Sequence, residues 1–322
     1  MPVRTRGKLK TIIIVTAGIL LAACDPGVYR KPVQDFRSAN EELRRAYFLQ
    51  LEITRDAMLT HFSVQRKRSL WGNPNLKGDP EAAQRVADAI AKERERALLN
   101  KDLVALRNRA FDTIDAYAGV LLALASDEDT NAIAADLQGL VGDLQQFLGV
   151  AKEVQGVSDL ATKGAAWIGP LGAAVSAFNE IVKLVSAVTR SVAIRDTIVT
   201  ADPAIQELLV VLGEEAAYAR TEAKSKYAAA EQALQKQLKA GVVDDAAARE
   251  ISEVLALVAA KANRLEGADG LKEVFESARI AQAGLVRRAA KPDYNELLGQ
   301  VRAFKVQVIA VRQSLEALRD ER

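Results

Sequence analysis

The sequence predicts an all-α protein, an elongated antiparallel helical bundle built from long, coiled-coil-like helices. Apolar residues recur at steps of three and four over long stretches, and Asp and Pro residues mark helix starts. No stretch alternates between apolar and polar residues with the period of two that a strand requires. Of the 322 residues, 49% are hydrophobic and 27% charged, which is too apolar and too little charged for an intrinsically disordered chain.

The N-terminus has the layout of an export signal. Residues 1–10 include four basic residues and no acidic residue, and an apolar run follows from Ile12 to Ala23. This run is shorter than the roughly 20 residues of a membrane-spanning helix. It ends in Leu21-Ala22-Ala23-Cys24, and Cys24 is the only cysteine in the sequence.

These four residues resemble the lipobox of bacterial lipoproteins. The resemblance implies that residues 1–23 are a signal peptide, whose peptidase recognises Leu21, Ala22 and Ala23. It also implies that Cys24 becomes the mature N-terminus and carries a diacylglycerol group and an N-acyl chain such as palmitate. Several acyl chains attach a protein durably to a membrane, whereas a single chain binds only marginally.

The lipoprotein resemblance also indicates a location. The mature chain is expected in the bacterial cell envelope, anchored to a membrane by its lipid and facing the periplasm. In enterobacterial lipoproteins an Asp after the lipidated Cys is a signal for retention in the inner membrane, and Asp25 resembles that signal. The inner membrane is therefore favoured over the outer membrane.

The charge of the mature chain argues against nucleic acid as a partner. Four of the 44 basic residues precede Cys24, so the remaining 40 stand against 42 acidic residues. Removal of the signal peptide thus changes the formal net charge from +2 to −2. A nearly neutral chain lacks the overall positive charge that attracts a phosphate backbone.

The first helices of the bundle domain, residues 33–322, are predicted from apolar stripes and breakers. Residues 24–32 include Pro26 and Pro32 and predict an extended, non-helical tether. A long helix follows, broken by Gly and Pro at 69–78, and Asp79-Pro80 starts a helix that is expected to reach residue 125. The stripe of the first helix consists of Val33, Phe36, Leu43, Tyr47, Leu51, Met58 and Phe62.

The later helices are predicted from acidic and Pro-containing starts. Ser126–Asp129 opens one helix, and Asp202-Pro203 opens another that ends at Lys239 before Gly241. Asp244 and Asp269 open two shorter helices, and Pro292-Asp293 opens the last. That helix has two heptad seams, which indicate coiled-coil-like packing. The seams are Tyr294, Val301, Val308 and Leu315, and Leu297, Phe304, Val311 and Leu318.

An apolar segment at about 164–199 does not fit a plain amphipathic bundle. Residues 164–179 contain no charge, and apolar residues surround the predicted helix on all sides. The segment is therefore a buried central helix, a surface for a partner, or a membrane-inserting hairpin. The third interpretation rests on a resemblance in organisation to α-helical pore-forming toxins. Trp167 and Phe178 are the candidate contacts with a partner or membrane.

The chemistry of most enzymes is missing from the sequence. His61 is the only histidine, and no phosphate-binding loop, nucleophile elbow or zinc-protease motif occurs. The acidic runs lie at helix starts, where they match helix capping better than catalysis or calcium binding. No resident metal or cofactor is expected beyond the lipid on Cys24. Arg66, Lys67 and Arg68 form a compact basic cluster that is a candidate contact for a partner.

Three functions are compatible with these features. The favoured one is a lipid-anchored, non-enzymatic structural or protein-interaction component of the bacterial cell envelope, with a protein partner or self-association. The alternative is a membrane-active, pore-forming-toxin-like protein that uses residues 164–199. A carboxylate-only enzyme such as a glycosidase is disfavoured, because long helices leave few loops for a cleft.

Overall fold

The fold of the chain is given by a computed structural model. It describes residues 26–72, 81, 85, 88, 101–126, 128–154, 160–240, 245–267, 270–289 and 294–319. These residues contain helices and short turns but no strand, which confirms the all-α fold. The helices are α1 Arg30–Gly72, α2 Lys101–Ala125, α3 Thr130–Val154, α4 Leu160–Ala187, α5 Arg190–Lys239, α6 Asp245–Gly267, α7 Leu271–Ala289 and α8 Tyr294–Arg319.

Side-chain contacts fix the direction of each helix. Arg37 bonds Asp115 and Arg44 bonds Asp112, so α1 and α2 are antiparallel. Tyr47 of α1 bonds Glu215 of α5, and further along both helices Thr54 bonds the carbonyl of Ala219, so these two helices are parallel. Helices α6 and α7 are both antiparallel to α5 and follow one another along it, with a break near Gly267.

Helix α5 lies at the centre of the bundle. It contacts α1, α2, α4, α6 and α7, while α4 contacts mainly α3 and α5. Small residues on α5 allow this close packing, since Ala216, Ala219, Ala223 and Ala230 are all buried. With 50 residues, α5 is about 75 Å long if straight. The elongated outline of the whole particle stays a prediction, which small-angle X-ray scattering tests.

Several predicted helix boundaries are confirmed. Helix α3 begins directly after Asp129, whose Oδ1 accepts a hydrogen bond of 3.0 Å from the backbone N–H of Asn131. Helix α5 ends at Lys239, and α8 begins at Tyr294. The seams of α8 are buried at Val301, Val308, Leu315, Leu297, Phe304 and Val311. The predicted helix from Pro80 to residue 125 lies partly outside the described residues, which include its last part as α2.

The prediction of an extended tether at 24–32 is wrong for its described part. Residues 26–29 form a 3-10 turn, and α1 begins at Arg30. Pro32 fits there because the first turn of a helix does not need the N–H group that proline lacks. Tyr29 is buried, and its hydroxyl donates to the carbonyl oxygens of Arg288 and Ala289 at 3.1 and 3.2 Å. The chain therefore enters the bundle only two residues after Cys24.

The prediction that a helix starts at Asp202-Pro203 is also wrong. Helix α5 begins at Arg190, and Pro203 lies inside it. Proline removes the hydrogen bond that residue 203 would donate to the carbonyl of Val199. Both residues are exposed, so water can reach that carbonyl. The packing of Ala193, Ile194 and Ile198 in the core holds the helix together on the other side.

We expect Pro203→Ala to stabilise the protein. The interior proline costs a helix about 3 kcal/mol, and the greater flexibility of alanine in the unfolded chain offsets about 1 kcal/mol of the gain. The free energy of unfolding, measured by urea denaturation, should rise by about 1–2 kcal/mol. Pro32→Ala is the control, because residue 32 lies in a first turn and its substitution restores no helical hydrogen bond. Equal gains from both substitutions would contradict this explanation.

The apolar segment does not form a single central helix, although the inner face of each of its parts is buried. It is divided between α4 and the start of α5, with a break at Val188 and Thr189. One face of α4 is buried through Trp167, Leu171, Ala174, Val175, Phe178, Ile181 and Val185. Its other face is exposed at Ser176, Asn179, Glu180, Lys183 and Ser186. The hydroxyls of Ser176 and Ser186 bond the carbonyls of Gly172 and Val182, so these polar side chains are satisfied within the helix.

Candidate functional site

A cavity of about 560 Å³ lies where the starts of α1 and α3 meet the end of α2. Its wall is partly apolar and partly polar, as in many ligand sites. The apolar wall includes Val120, Leu122, Ile133, Leu137 and Leu140, and the polar groups are Arg30, Gln34, Arg37, Ser126, Glu128 and Asp136.

The charges around this cavity are balanced. Arg30 and Arg37 stand against Glu128 and Asp136. Arg37 is already occupied, because its Nε and Nη2 donate to both carboxylate oxygens of Asp115 at 2.7 and 2.9 Å. The hydrogen bond that Arg37 donates to Asp115 raises the pKa of Arg37. The lining includes no histidine or cysteine, so the cavity offers no nucleophile paired with an imidazole base.

A buried ionic cluster joins three helices in the core. Arg107 of α2 is fully buried, and its Nε donates to Glu215 of α5 at 2.9 Å. Its Nη2 forms a second bond to the other oxygen of Glu215, and the Tyr47 hydroxyl of α1 donates to this carboxylate at 2.5 Å. The cluster therefore ties α1, α2 and α5 together at one level.

The Arg107–Glu215–Tyr47 cluster is suited to holding structure rather than to catalysis. Burial lowers the pKa of Arg107, but the hydrogen bond and charge of Glu215 outweigh burial and raise it overall. Burial and the Glu215 charge hold the pKa of Tyr47 well above its usual value. Both carboxylate oxygens of Glu215 accept hydrogen bonds from Arg107 or Tyr47, so the carboxylate is occupied by partners within the core.

A second polar cluster links α1, α5 and α6. Asp56 accepts hydrogen bonds from the Tyr227 hydroxyl at 2.8 Å and from Lys261 Nζ at 2.7 Å. Burial and the charge of Asp56 raise the pKa of Tyr227. The adjoining space holds about 20 Å³, which accommodates a water molecule but no larger ligand. This cluster therefore fixes α6 on α1 and α5.

The single histidine lies beside an aromatic ring and near two charged side chains of α5, Lys226 and Glu222. His61 is half-buried beside Phe62, with ring centroids 5.8 Å apart. Burial and the charge of Lys226 lower its pKa. Within the described residues, no group of three or more His, Cys, Asp or Glu side chains is placed to hold a metal ion.

The residues that the sequence suggested as contacts for a partner differ in their exposure to solvent. Trp167 and Phe178 are both 2% exposed, so neither presents its side chain to a partner in this arrangement. Arg66 is exposed, and Lys67 forms an ion pair with Glu250 of α6. The side chain of Arg68 lies outside the described residues, as do Leu21, Ala22, Ala23, Cys24 and Asp25. The basic cluster thus lies near the start of α6, at the end of the bundle opposite Arg30.

One helix in the described part of the chain is long and apolar enough to cross a membrane. It is the stretch Trp167–Ala187 of α4, with 21 residues, a mean hydropathy of 1.3 and 33% of its span buried. This property is shared by core helices of soluble proteins, and the buried face of α4 packs on α3 and α5. Composition alone therefore does not assign a membrane role to α4.

Comparison with known proteins gave no relative. No family model, no curated protein and no solved structure matches the chain.

Sequence reasoning missed the Arg107–Glu215–Tyr47 cluster. Its members lie on three helices and meet only in the folded chain. One local signal was present, because Arg107 occupies the apolar stripe formed by Leu103, Leu106, Ala110, Phe111 and Ile114. A charged residue within such a stripe predicts a buried partner of opposite charge.

Proposed function

We propose that this protein is a lipid-anchored, non-enzymatic structural or protein-interaction component of the bacterial cell envelope. The observation that carries the proposal is the order of a basic region, an apolar run and Leu21-Ala22-Ala23-Cys24, with Cys24 the only cysteine. A diacylglycerol group and an N-acyl chain on Cys24 hold the mature chain in a membrane, and the helical bundle faces the periplasm. Asp25 favours the inner membrane.

The arrangement of polar groups supports a non-enzymatic role. The described ionic clusters at Glu215 and Asp56 join helices to one another. His61 is half-buried and does not line the 560 Å³ cavity, whose lining includes both basic and acidic side chains and no imidazole. A helical bundle whose described polar clusters join its own helices is suited to holding a position and contacting other proteins, including a second copy of this chain.

Substitution of the cysteine tests the anchor. Cys24→Ala removes the thiol that accepts the diacylglycerol group, so we expect an unprocessed precursor without acyl label. Metabolic labelling with a radioactive or clickable fatty acid, followed by membrane fractionation, measures both effects. Asp25→Ser is the matched control, since it should keep the acyl label and shift the protein toward the outer membrane. An acylated, membrane-held Cys24→Ala protein would refute the anchor.

A membrane-active, pore-forming-toxin-like role is the second candidate. The stretch Trp167–Ala187 favours it, because this part of α4 has the length and hydropathy of a membrane-spanning helix. Leakage of a dye from vesicles treated with unlipidated residues 25–322 would favour this role. Intact vesicles would favour the structural role.

A further inference from the structure

We propose that the turn between α4 and α5, residues 184–194, is a second membrane contact that lies on the lipid headgroups beside the anchor. This inference rests on the proposed lipidation of Cys24. Its partner is the bilayer surface in which the anchor itself is held. It adds a contact that orients the bundle, whereas the acyl chains alone would only attach it.

The short connection to Cys24 brings one end of the bundle to the membrane. Cys24 and Pro26 are two residues apart, a distance of at most about 7 Å in an extended chain. From Pro26 onward the chain is fixed, because the Tyr29 hydroxyl bonds the carbonyl oxygens of Arg288 and Ala289. No long tether therefore separates the lipid from the helices.

The α4–α5 turn lies at this same end and extends to the level of the anchor. Tyr47 is level with Glu215, so counting back along the parallel helices α1 and α5 places Arg30 beside Ile198. Arg190 then lies about 12 Å beyond Arg30 in the direction of Pro26. The 3-10 turn places Pro26 itself about 8 Å beyond Arg30. The α4–α5 turn and Pro26 therefore lie at a similar level along the axis of the bundle.

The composition of the turn suits a membrane surface. Residues 181–195 contain three basic residues, Lys183, Arg190 and Arg195, and lie between Glu180 and Asp196. Arg195 pairs with Asp196 at 2.9 Å and Arg190 donates to the carbonyl oxygen of Glu128 at 2.8 Å, while Lys183 is exposed. Ala187 and Thr189 are exposed, and Val188 and Val192 are partly exposed. Small apolar side chains beside an exposed cation such as Lys183 can bind the boundary between headgroups and acyl chains, where the ammonium group contacts phosphate.

The single cysteine makes this contact directly measurable. Once Cys24 carries its lipid, Val188→Cys provides one free thiol for an environment-sensitive fluorophore such as NBD. Gln235→Cys is the matched control, because residue 235 is exposed near the other end of α5. Both labelled full-length, lipidated proteins are reconstituted in vesicles of phosphatidylcholine and phosphatidylglycerol. Fluorescence is then recorded with and without a lipid-borne quencher.

We expect the label at residue 188 to shift to shorter wavelength in vesicles and to be quenched from the lipid, while the label at 235 does neither. If vesicle-bound protein gives the same water-like emission at both positions, the turn makes no membrane contact and the inference is overturned. Failure of the lipidated chain to associate with vesicles would instead contradict the anchor on Cys24. The two failures are thus distinguishable.

Discussion

Replacing Arg107 by alanine is expected to lower the free energy of unfolding by about 3–5 kcal/mol. Arg107 is fully buried, and the substitution leaves the carboxylate of Glu215 with the Tyr47 hydroxyl as its remaining described partner from this cluster. A buried charge that loses its counter-ion costs far more than the same change at the surface. Chemical denaturation followed by circular dichroism measures the difference.

A surface ion pair provides the control for Arg107. Arg44 of α1 bonds Asp112 of α2 at 2.8 Å, but its side chain is 37% exposed. Arg44→Ala should cost less than about 1 kcal/mol. The triple substitution Arg107→Met, Glu215→Leu and Tyr47→Phe should recover much of the lost stability, because it removes every polar member together. Equal losses from Arg107→Ala and Arg44→Ala would contradict the importance of burial.

The second large effect is expected at Phe178 on the buried face of α4. Phe178 is 2% exposed, so Phe178→Ala should lower the free energy of unfolding by about 3–5 kcal/mol through lost burial and the cavity left behind. Phe178→Asp should prevent stable folding, because it buries a carboxylate without a partner. Thermal melting followed by circular dichroism measures both variants.

The neighbouring residue supplies the control for Phe178. Asn179 is exposed on the same helix, so Asn179→Asp introduces the same carboxylate at the surface. We expect its melting temperature to stay within a few degrees of the parent protein. A well-folded Phe178→Asp protein with an unchanged melting temperature would show that α4 does not need its contacts with α3 and α5. That result would favour the membrane-active role.

Local signals in the sequence predicted much of the fold. The cap at Asp129 and the heptads of α8 act through neighbouring residues on one helix, so their patterns are visible in the chain. Pro203 misled the prediction because proline at a helix start and proline inside an exposed helix face have the same local sequence. What distinguishes them is the packing of Ile194 and Ile198 in the core, which depends on the rest of the bundle.

The position of the apolar segment required the tertiary structure. A helix with apolar residues on several sides is expected at the centre, but α4 lies against α3 and α5 and leaves Asn179, Glu180 and Lys183 exposed. The centre is occupied by α5, whose small buried alanines admit close neighbours on several sides. The size of the side chains therefore determines which helix occupies the centre of the bundle more than their hydropathy does.

The anchor could be proposed from sequence because a signal peptide is read as a linear pattern. The α4–α5 turn could not, since its relation to the anchor depends on the parallel packing of α1 and α5. The absence of acidic residues at 181–195 was visible in the chain. Only the fold brings that stretch to the end of the bundle where Pro26 lies.

Mass spectrometry of the mature N-terminal peptide, isolated from the membrane fraction of the native host, tests the central claim most directly. The account predicts a peptide that begins at Cys24 and carries the added mass of a diacylglycerol group and an N-acyl chain. A peptide with an unmodified Cys24, or a mature chain that begins elsewhere and is recovered from the soluble fraction, would contradict it.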